Sequence, residues 1–220
     1  MRVVAIDGPA GAGKSTVARL VAVATGLPFL DTGAMYRCVA LRCLREGIAA
    51  EDSSAVAEVA RGVSIDVRDG VTMLDGEDVS ADIRTPQVNA VVSIIATNSA
   101  VRDVMREAQR RWAQSVGGGV VEGRDIGTVV FPDASLKVFL TASPEVRARR
   151  RVAETGGDVE EVARSIAERD RLDTTRSDSP LRAAPGSVTV DSSGRTVDDV
   201  VAEIVSLFAR HETGTDDVRR

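Results

Sequence analysis

Short apolar runs alternate along the chain with longer stretches in which apolar residues return every third or fourth position, the pattern of strands alternating with helices. Val3-Val4-Ala5-Ile6 is the first run. Behind it Val17, Leu20, Val21 and Ala24 mark a helix face that stops at Gly26, with Pro28 beyond. Pro28-Phe29-Leu30-Asp31 predicts a second short strand, followed by a helix to about Glu46 and another over 50–61. The period then changes. Val63, Ile65 and Val67 alternate with polar residues, Asp69-Gly70 is a hairpin turn signal, and Asp75-Gly76 turns the chain again before Val79. A small antiparallel insert over 62–84 follows, either a mobile flap over a second ligand or a decorated connection. From Pro86 to about Ala113 the pattern is helical with a break at Asn98-Ser99, and Val101, Met105, Ala108 and Trp112 mark its buried face. Val120-Val121, 136–140 and 188–190 read as third, fourth and fifth strands. The last helix has Val197, Val200, Val201, Ile204, Val205 and Phe208 on one face, and 212–220 reads as a disordered tail. The expectation is an α/β fold, a parallel sheet between helices, in one domain spanning 1–220.

Composition narrows the classes. At 220 residues and 43% hydrophobic the chain is long enough for one sizeable core. A net charge of −5 argues against a nucleic-acid or anionic-membrane partner. No long apolar stretch reads as a membrane span, and Asp7 cuts the first apolar run too early for a signal peptide, so a cytoplasmic location is expected. Cys38 and Cys43 fall on different faces of one helix and are expected buried and reduced. The sole histidine, His211, is near the end, which nearly excludes a Ser-His-Asp triad or a histidine base. Phosphoryl transfer needs neither, because it rests on positioning and charge neutralisation.

Candidate chemistry centres on Gly8-Pro9-Ala10-Gly11-Ala12-Gly13-Lys14-Ser15-Thr16, which fits G-x-x-x-x-G-K-[ST] between a strand and a helix. Backbone N–H groups there converge on phosphate oxygens at a helix N-terminus, Lys14 reaches the β- and γ-phosphates of ATP, and the Ser15 hydroxyl binds Mg2+. The chain has two lysines among 28 basic residues, and one of them occupies this position. Ligands of parallel sheets sit at the carboxyl ends of strands, which places Thr32, Tyr36 and Arg37 near the phosphates. The plainer alternative is that Thr32 caps a helix and Arg37 is solvated. Ser93 and Arg102 are site residues or exposed surface. Glu122-Gly123-Arg124-Asp125 ends a buried strand with charge and glycine, the look of a site. Arg147, Arg149, Arg150 and Arg151 precede the flexible Thr155-Gly156-Gly157-Asp158, so they form a lid over 150–160 or a solvated face. Arg169, Asp173 and Arg176 allow the same two readings, since a surface salt-bridge stripe has this spacing.

Five motifs together carry a resemblance over nearly the whole chain: Asp7 through Ser15, Asp31-Thr32-Gly33-Ala34-Met35-Tyr36-Arg37, Asp82-Ile83-Arg84-Thr85, Gly123 through Pro132, and Glu168-Arg169-Asp170 with Arg176. With them the chain resembles the bacterial cytidylate kinases, in the nucleoside monophosphate kinase group of P-loop proteins. The resemblance implies a three-layer P-loop kinase fold, a five-stranded parallel sheet flanked by helices, with an antiparallel insert that moves over the monophosphate and a short arginine-bearing lid. It implies transfer of the γ-phosphoryl group of ATP, with Mg2+, to CMP or dCMP, by a monomer. Carried over by position, Arg37, Arg124 and Arg176 hold the acceptor phosphate with Thr32 and Tyr36 beside it, and Arg169 and Asp173 contact the ribose. Ser93, Arg102 and Asp125 read the base, and Lys14, Arg124 and Arg150 are the catalytic set. Cytosine offers an exocyclic amine that a carboxylate accepts, whereas uracil turns a carbonyl to the same place. Rival readings are a UMP or dTMP kinase and a P-loop nucleotide-binding regulator.

In steady-state assays Asp125→Ala should lower the preference for CMP over UMP by at least about tenfold, because it removes the one acceptor of the amine. Arg124→Ala should weaken every monophosphate alike. An unchanged CMP:UMP ratio in the first variant counts against Asp125 as base reader.

Overall fold

In the computed structural model, which describes residues 1–68 and 70–216, the first apolar run is the central strand of the sheet. β1 (Arg2–Asp7) lies between β6 (Gly118–Gly123) and β7 (Leu136–Thr141), with β2 (Phe29–Asp31) and β8 (Val188–Asp191) at the edges. Every pairing is parallel, with Ala5 opposite Val121 on one side and Lys137 on the other. Both faces of β1 are covered, which is why its sequence is a continuous apolar run. Val3 and Ala5 face one core, with Leu30, Val121 and the helices α2 (Thr32–Arg45), α3 (Ser53–Gly62), α4 (Pro86–Ile95) and α5 (Ser99–Val116). Val4 and Ile6 face the other, with Val138, Leu140 and the helices α1 (Lys14–Thr25) and α8 (Val197–Asp216). The five-stranded three-layer fold is as the sequence implied.

Local chemistry sets the boundaries. Asn98 caps α5, its side chain accepting from the amides of Ala100 and Val101, so the helical stretch breaks at Asn98-Ser99 as expected. The insert is an antiparallel sheet of β3 (Ile65–Arg68), β4 (Val71–Leu74) and β5 (Glu77–Asp78), ending in a 3₁₀ turn over Asp82–Arg84. Of its expected Asp69-Gly70 turn, Asp69 lies outside the described residues; Gly70 has φ 83°. Val67, Leu74, Val79 and Ile83 are buried in the same cluster as α2, so the insert shares the main core. Arg45 of α2 also pairs with Glu77 and Asp82. Remaining elements are α6 (Pro144–Thr155) and α7 (Val159–Thr175), which pack on each other. Cys38 and Cys43 are buried and unbridged, and burial pushes the Cys38 thiol up to about 12.

Three expectations are corrected. On α1 the buried stripe is Val17, Ala18, Val21 and Ala22, while Leu20 and Ala24 are exposed, because α1 is covered by β6 and α8 along the side that carries the small residues. Val197 on α8 is likewise exposed. The tail expected to be disordered from 212 is helical to Asp216, since Arg2 lies over the Phe208 ring at 5.5 Å and donates to Glu212 at 2.7 Å, one turn further along the same face. Residues 217–220 lie outside the described residues.

Gly119 on β6 is required for packing. A Cβ there would stand 2.7 Å from the Trp112 ring and 2.8 Å from the Pro28 carbonyl oxygen. Gly119→Ala should cost about 1–3 kcal/mol and lower Tm by about 2–4 °C per kcal/mol in a thermal melt. An unchanged Tm would show that the Trp112 ring and the Pro28 carbonyl both give way freely.

Candidate active site

The carboxyl ends of β1, β2 and β6 converge on a cleft of about 370 Å³ that α6 and α7 close from the other side. β1 leads directly into the phosphate loop. Gly8 passes so close to β7 that a Cβ would fall 2.0 Å from the Leu140 carbonyl oxygen. Gly13, at φ 88°, is the N-cap of α1 and offers no side chain to its first amides, which leaves them for an anion at the positive end of the helix. Lys14 is buried with Nζ donating to the Pro9 carbonyl at 2.7 Å. Burial, with Arg124 beside it, pulls its pKa down, and Glu122 opposes that. Burial and the neighbouring Asp31 raise the carboxyl of Glu122, against Lys14 and the Ser15 hydroxyl.

Facing the loop is a group of guanidinium ions. Arg124 donates from Nε to Asp173 at 2.8 Å, and Arg176 donates to the Ser179 carbonyl at 2.7 Å with Asp173 3.5 Å away. Arg37 donates to the Ile83 carbonyl at 3.1 Å and to Asn89 at 2.6 Å, and burial lowers its pKa to about 10. Burial and the charges of Arg124 and Arg37 hold Arg169 down to about 9. Nε of Arg169 and Nη2 of Arg176 are buried with no hydrogen-bond partner among the described residues. A buried donor without an acceptor is costly, so this cluster is complementary to an anion.

Deeper in the cleft Arg102, 1% exposed, donates to the Ala96 carbonyl at 3.1 Å and to Asp125 at 2.6 Å, and lies 5.7 Å over the Tyr36 ring. Arg176 Nη2 stands 3.9 Å from the other Asp125 oxygen. Ser93 lines the wall between Val92 and Ala96. A ring with polar edges entering here meets a carboxylate and guanidinium donors side by side.

The model of the family described as cytidylate kinase matches residues 4–210. The chain belongs to the cytidylate kinase family. It is 48% identical over 213 residues to a cytidylate kinase of Pelotomaculum thermopropionicum, covering 92% of this chain and 94% of that one. It is 49% identical over 211 residues to a cytidylate kinase of Desulforamulus reducens, covering 92% and 95%. Among solved structures, a gluconokinase from Sinorhizobium meliloti shares the fold at TM-score 0.54 and 19% identity, covering 100% of this chain and 98% of that one. The chain is thus a kinase of the P-loop fold, and no helix among the described residues is long and apolar enough to cross a membrane.

The residues singled out from sequence for this kinase meet in the cleft with few exceptions. Ala10, Gly11, Gly13, Lys14, Ser15 and Thr16 line it, as do Thr32, Tyr36, Arg37, Ser93, Arg102, Arg124, Asp125, Arg150, Arg169, Asp173 and Arg176. Gly8, Pro9 and Ala12 do not; they form the back of the loop. Thr32 is not a helix cap: Asp31 caps α2 through the Ala34 amide, and the Thr32 hydroxyl donates to the Glu122 carbonyl at 2.6 Å. The arginine run on α6 is not one solvated face. Arg147 is buried, donating to the carbonyls of Ala10 (3.0 Å) and Ala142 (3.2 Å) and pairing with Asp170, which accepts the Ala10 amide at 3.1 Å. Arg150 donates to Ser192 at 2.9 Å and to its carbonyl at 2.8 Å. Asp7 and Asp170 stand within the motifs that carry the resemblance but had no role of their own, and Ser192 was not singled out. A carboxylate directly after an apolar strand run was a further signal for Asp7; Ser192 is a polar residue in a polar stretch.

Asp7 is 3% exposed and accepts the amides of Ile126 at 2.8 Å and Gly127 at 2.7 Å. Burial, outweighing those amides, pushes its carboxyl up from 3.8 to about 6. The folded chain therefore binds this proton more tightly than the unfolded chain. The group's contribution to stability is full below about pH 4 and is lost as pH rises through about 6. Denaturant unfolding from about pH 4.5 to about pH 7.5 should show the natural chain losing about 2 kcal/mol relative to Asp7→Asn. Parallel stability curves would refute the raised pKa.

Proposed function

We propose that this kinase transfers the γ-phosphoryl group of ATP, with Mg2+, onto the phosphate of CMP or dCMP, giving the diphosphate. The observation that carries the reading is the pairing, within one cleft, of a phosphate loop with a second anion site of arginines whose buried donors lack acceptors. A nucleotide-binding regulator has no need of that second site. The acceptor oxygen is already anionic at neutral pH, so no general base is required, and the chemistry is in-line transfer between two polyanions. Lys14 and the α1 amides hold the donor phosphates; their negative charge restores the proton affinity that burial takes from Lys14. Arg37, Arg124 and Arg176 hold the acceptor phosphate and screen the repulsion, and Arg169 with Asp173 faces the ribose.

A divalent ion fits beside the loop, where the Ser15 hydroxyl and a buried Glu122 oxygen with no hydrogen-bond partner among the described residues supply oxygen donors. When bound, Mg2+ neutralises charge on the β- and γ-phosphate oxygens. The base is read by Ser93, Arg102 and Asp125: the carboxylate accepts from the exocyclic amine and the guanidinium and hydroxyl donate to N3 and O2. The partners of this reading are small nucleotides, and the acidic net charge argues against a nucleic-acid or anionic-membrane surface.

Among the α6 arginines, contacts divide the labour. Arg147 is bound to the loop and Asp170, and Arg150 holds Ser192 and so the donor side. Arg151 lines the cleft, pairs with Glu154 at 3.2 Å, and is close enough to lower the pKa of both Arg37 and Arg169. Arg151 therefore joins Arg150 as the partner of the transferring group, on the acceptor side. Arg151→Ala should lower kcat by about 10²-fold with little change in KM for CMP, whereas Arg150→Ala should also raise KM for ATP. In a panel of monophosphates with ATP, CMP and dCMP should be turned over best. Preference for UMP, or no turnover of any monophosphate, would overturn the reading.

A further inference from the structure

Asp125 begins a single π-helical turn, Ile126–Val130, and occupies its N-cap position with φ −141° and ψ 23°. An aspartate at an N-cap ordinarily folds its carboxylate back onto the amides of the next residues, which otherwise have no partner. Here it does not: Asp125 makes no such bond and turns instead to Arg102, at 2.6 Å. The reason is on the neighbouring strand. Asp7, the last residue of β1, delivers one carboxylate oxygen to the Ile126 amide and the other to the Gly127 amide, at 2.8 and 2.7 Å. The Gly127 amide, one of the two that the Asp125 side chain could cap, is thus taken, together with that of Ile126, by a carboxylate from across the sheet. β1 and β6 are in register at this point, Asp7 opposite Gly123, so the reach is set by strand pairing.

We infer that Asp7 is a positioning residue for acceptor selection: by capping the turn after Asp125 in trans, it leaves the Asp125 carboxylate free to face the acceptor base. The inference rests on the reading of Asp125 as the group that accepts the cytosine amine. It also accounts for a buried carboxylate that touches neither anion site. Because Asp7 adjoins Gly8, the same residue ties the phosphate loop to the base-reading turn, so donor and acceptor pockets share one anchor.

The test is a double-mutant cycle on the full chain, with kcat/KM measured for CMP and for UMP at saturating ATP. Asp7→Asn keeps the shape but places an NH2 donor against one amide, freeing that amide to recapture Asp125. It should lower the CMP:UMP ratio about tenfold, mainly through KM for CMP. In the Asp125→Ala background the same change should move the ratio less than about twofold, since nothing remains to be positioned. A merely structural carboxylate would lower activity with both acceptors alike and show no such coupling. An unchanged ratio in Asp7→Asn, or the same drop in both backgrounds, overturns the inference. If Asp125→Ala alone leaves the ratio unchanged, the base-reading assignment itself fails, and this inference with it. The natural chain gives a readout that needs no variant. The charged groups acting on Asp7 are Asp125 and Lys14, and protonating Asp7 turns one acceptor oxygen into a donor against an amide. The CMP:UMP ratio should then fall from about pH 7.5 to about pH 5.5, and a flat ratio would overturn the inference.

Discussion

Positive charge held out of water at one edge of a parallel sheet is the constraint on which the rest of this structure depends. Lys14, Arg37, Arg102, Arg124, Arg169 and Arg176 line the same cleft, against the carboxylates of Asp31, Glu122, Asp125 and Asp173. Burial alone lowers several of these cations, and they lower one another. Such an arrangement is unfavourable by itself and becomes favourable when anions enter, which ties binding to the completion of the site. The carboxylates limit the excess. Asp173 lies between Arg124 and Arg176, and Asp125 between Arg102 and Arg176, so that each guanidinium is aimed as well as partly neutralised.

The sheet makes this crowding possible because its parallel strands end together. β1 delivers the phosphate loop, β2 delivers Asp31 and Thr32, and β6 delivers Glu122 through Asp125, while α5 brings Arg102 and α7 brings Arg169, Asp173 and Arg176 from the opposite side. Connections between these segments reinforce the aim. Arg37 and Asn89 hold the carbonyls of Ile83 and Arg84 at the root of the insert, so this cleft-lining arginine is bonded to the element beside it. Arg147 and Asp170 clasp Ala10 through both its amide and its carbonyl, which joins the bases of α6 and α7 to the phosphate loop.

Much of the site was legible in the chain because its chemistry is written in local strings. Gly8 through Thr16 needs nothing beyond its own neighbours to be recognised, and Gly123-Arg124-Asp125 follows a buried strand as site residues in such folds do. The same locality explains what was misread. Whether Leu20 or Ala18 of α1 faces inward depends on where α8 and β6 cover it. Whether the last helix runs on past 212 depends on Arg2, at the far end of the chain.

What the sequence determined by itself was the alternation of strand and helix and the phosphate loop at the end of the first strand. Those follow from backbone freedom, apolar period and side-chain chemistry, which act over a few residues at a time. Tertiary structure alone decided how each cation is used: Arg147 committed to a clasp, Arg150 to Ser192, Arg151 left facing the cleft, and Asp7 reaching across to Ile126 and Gly127. A charged side chain's role is set by which partners reach it first inside the fold, and those partners lie far away along the chain.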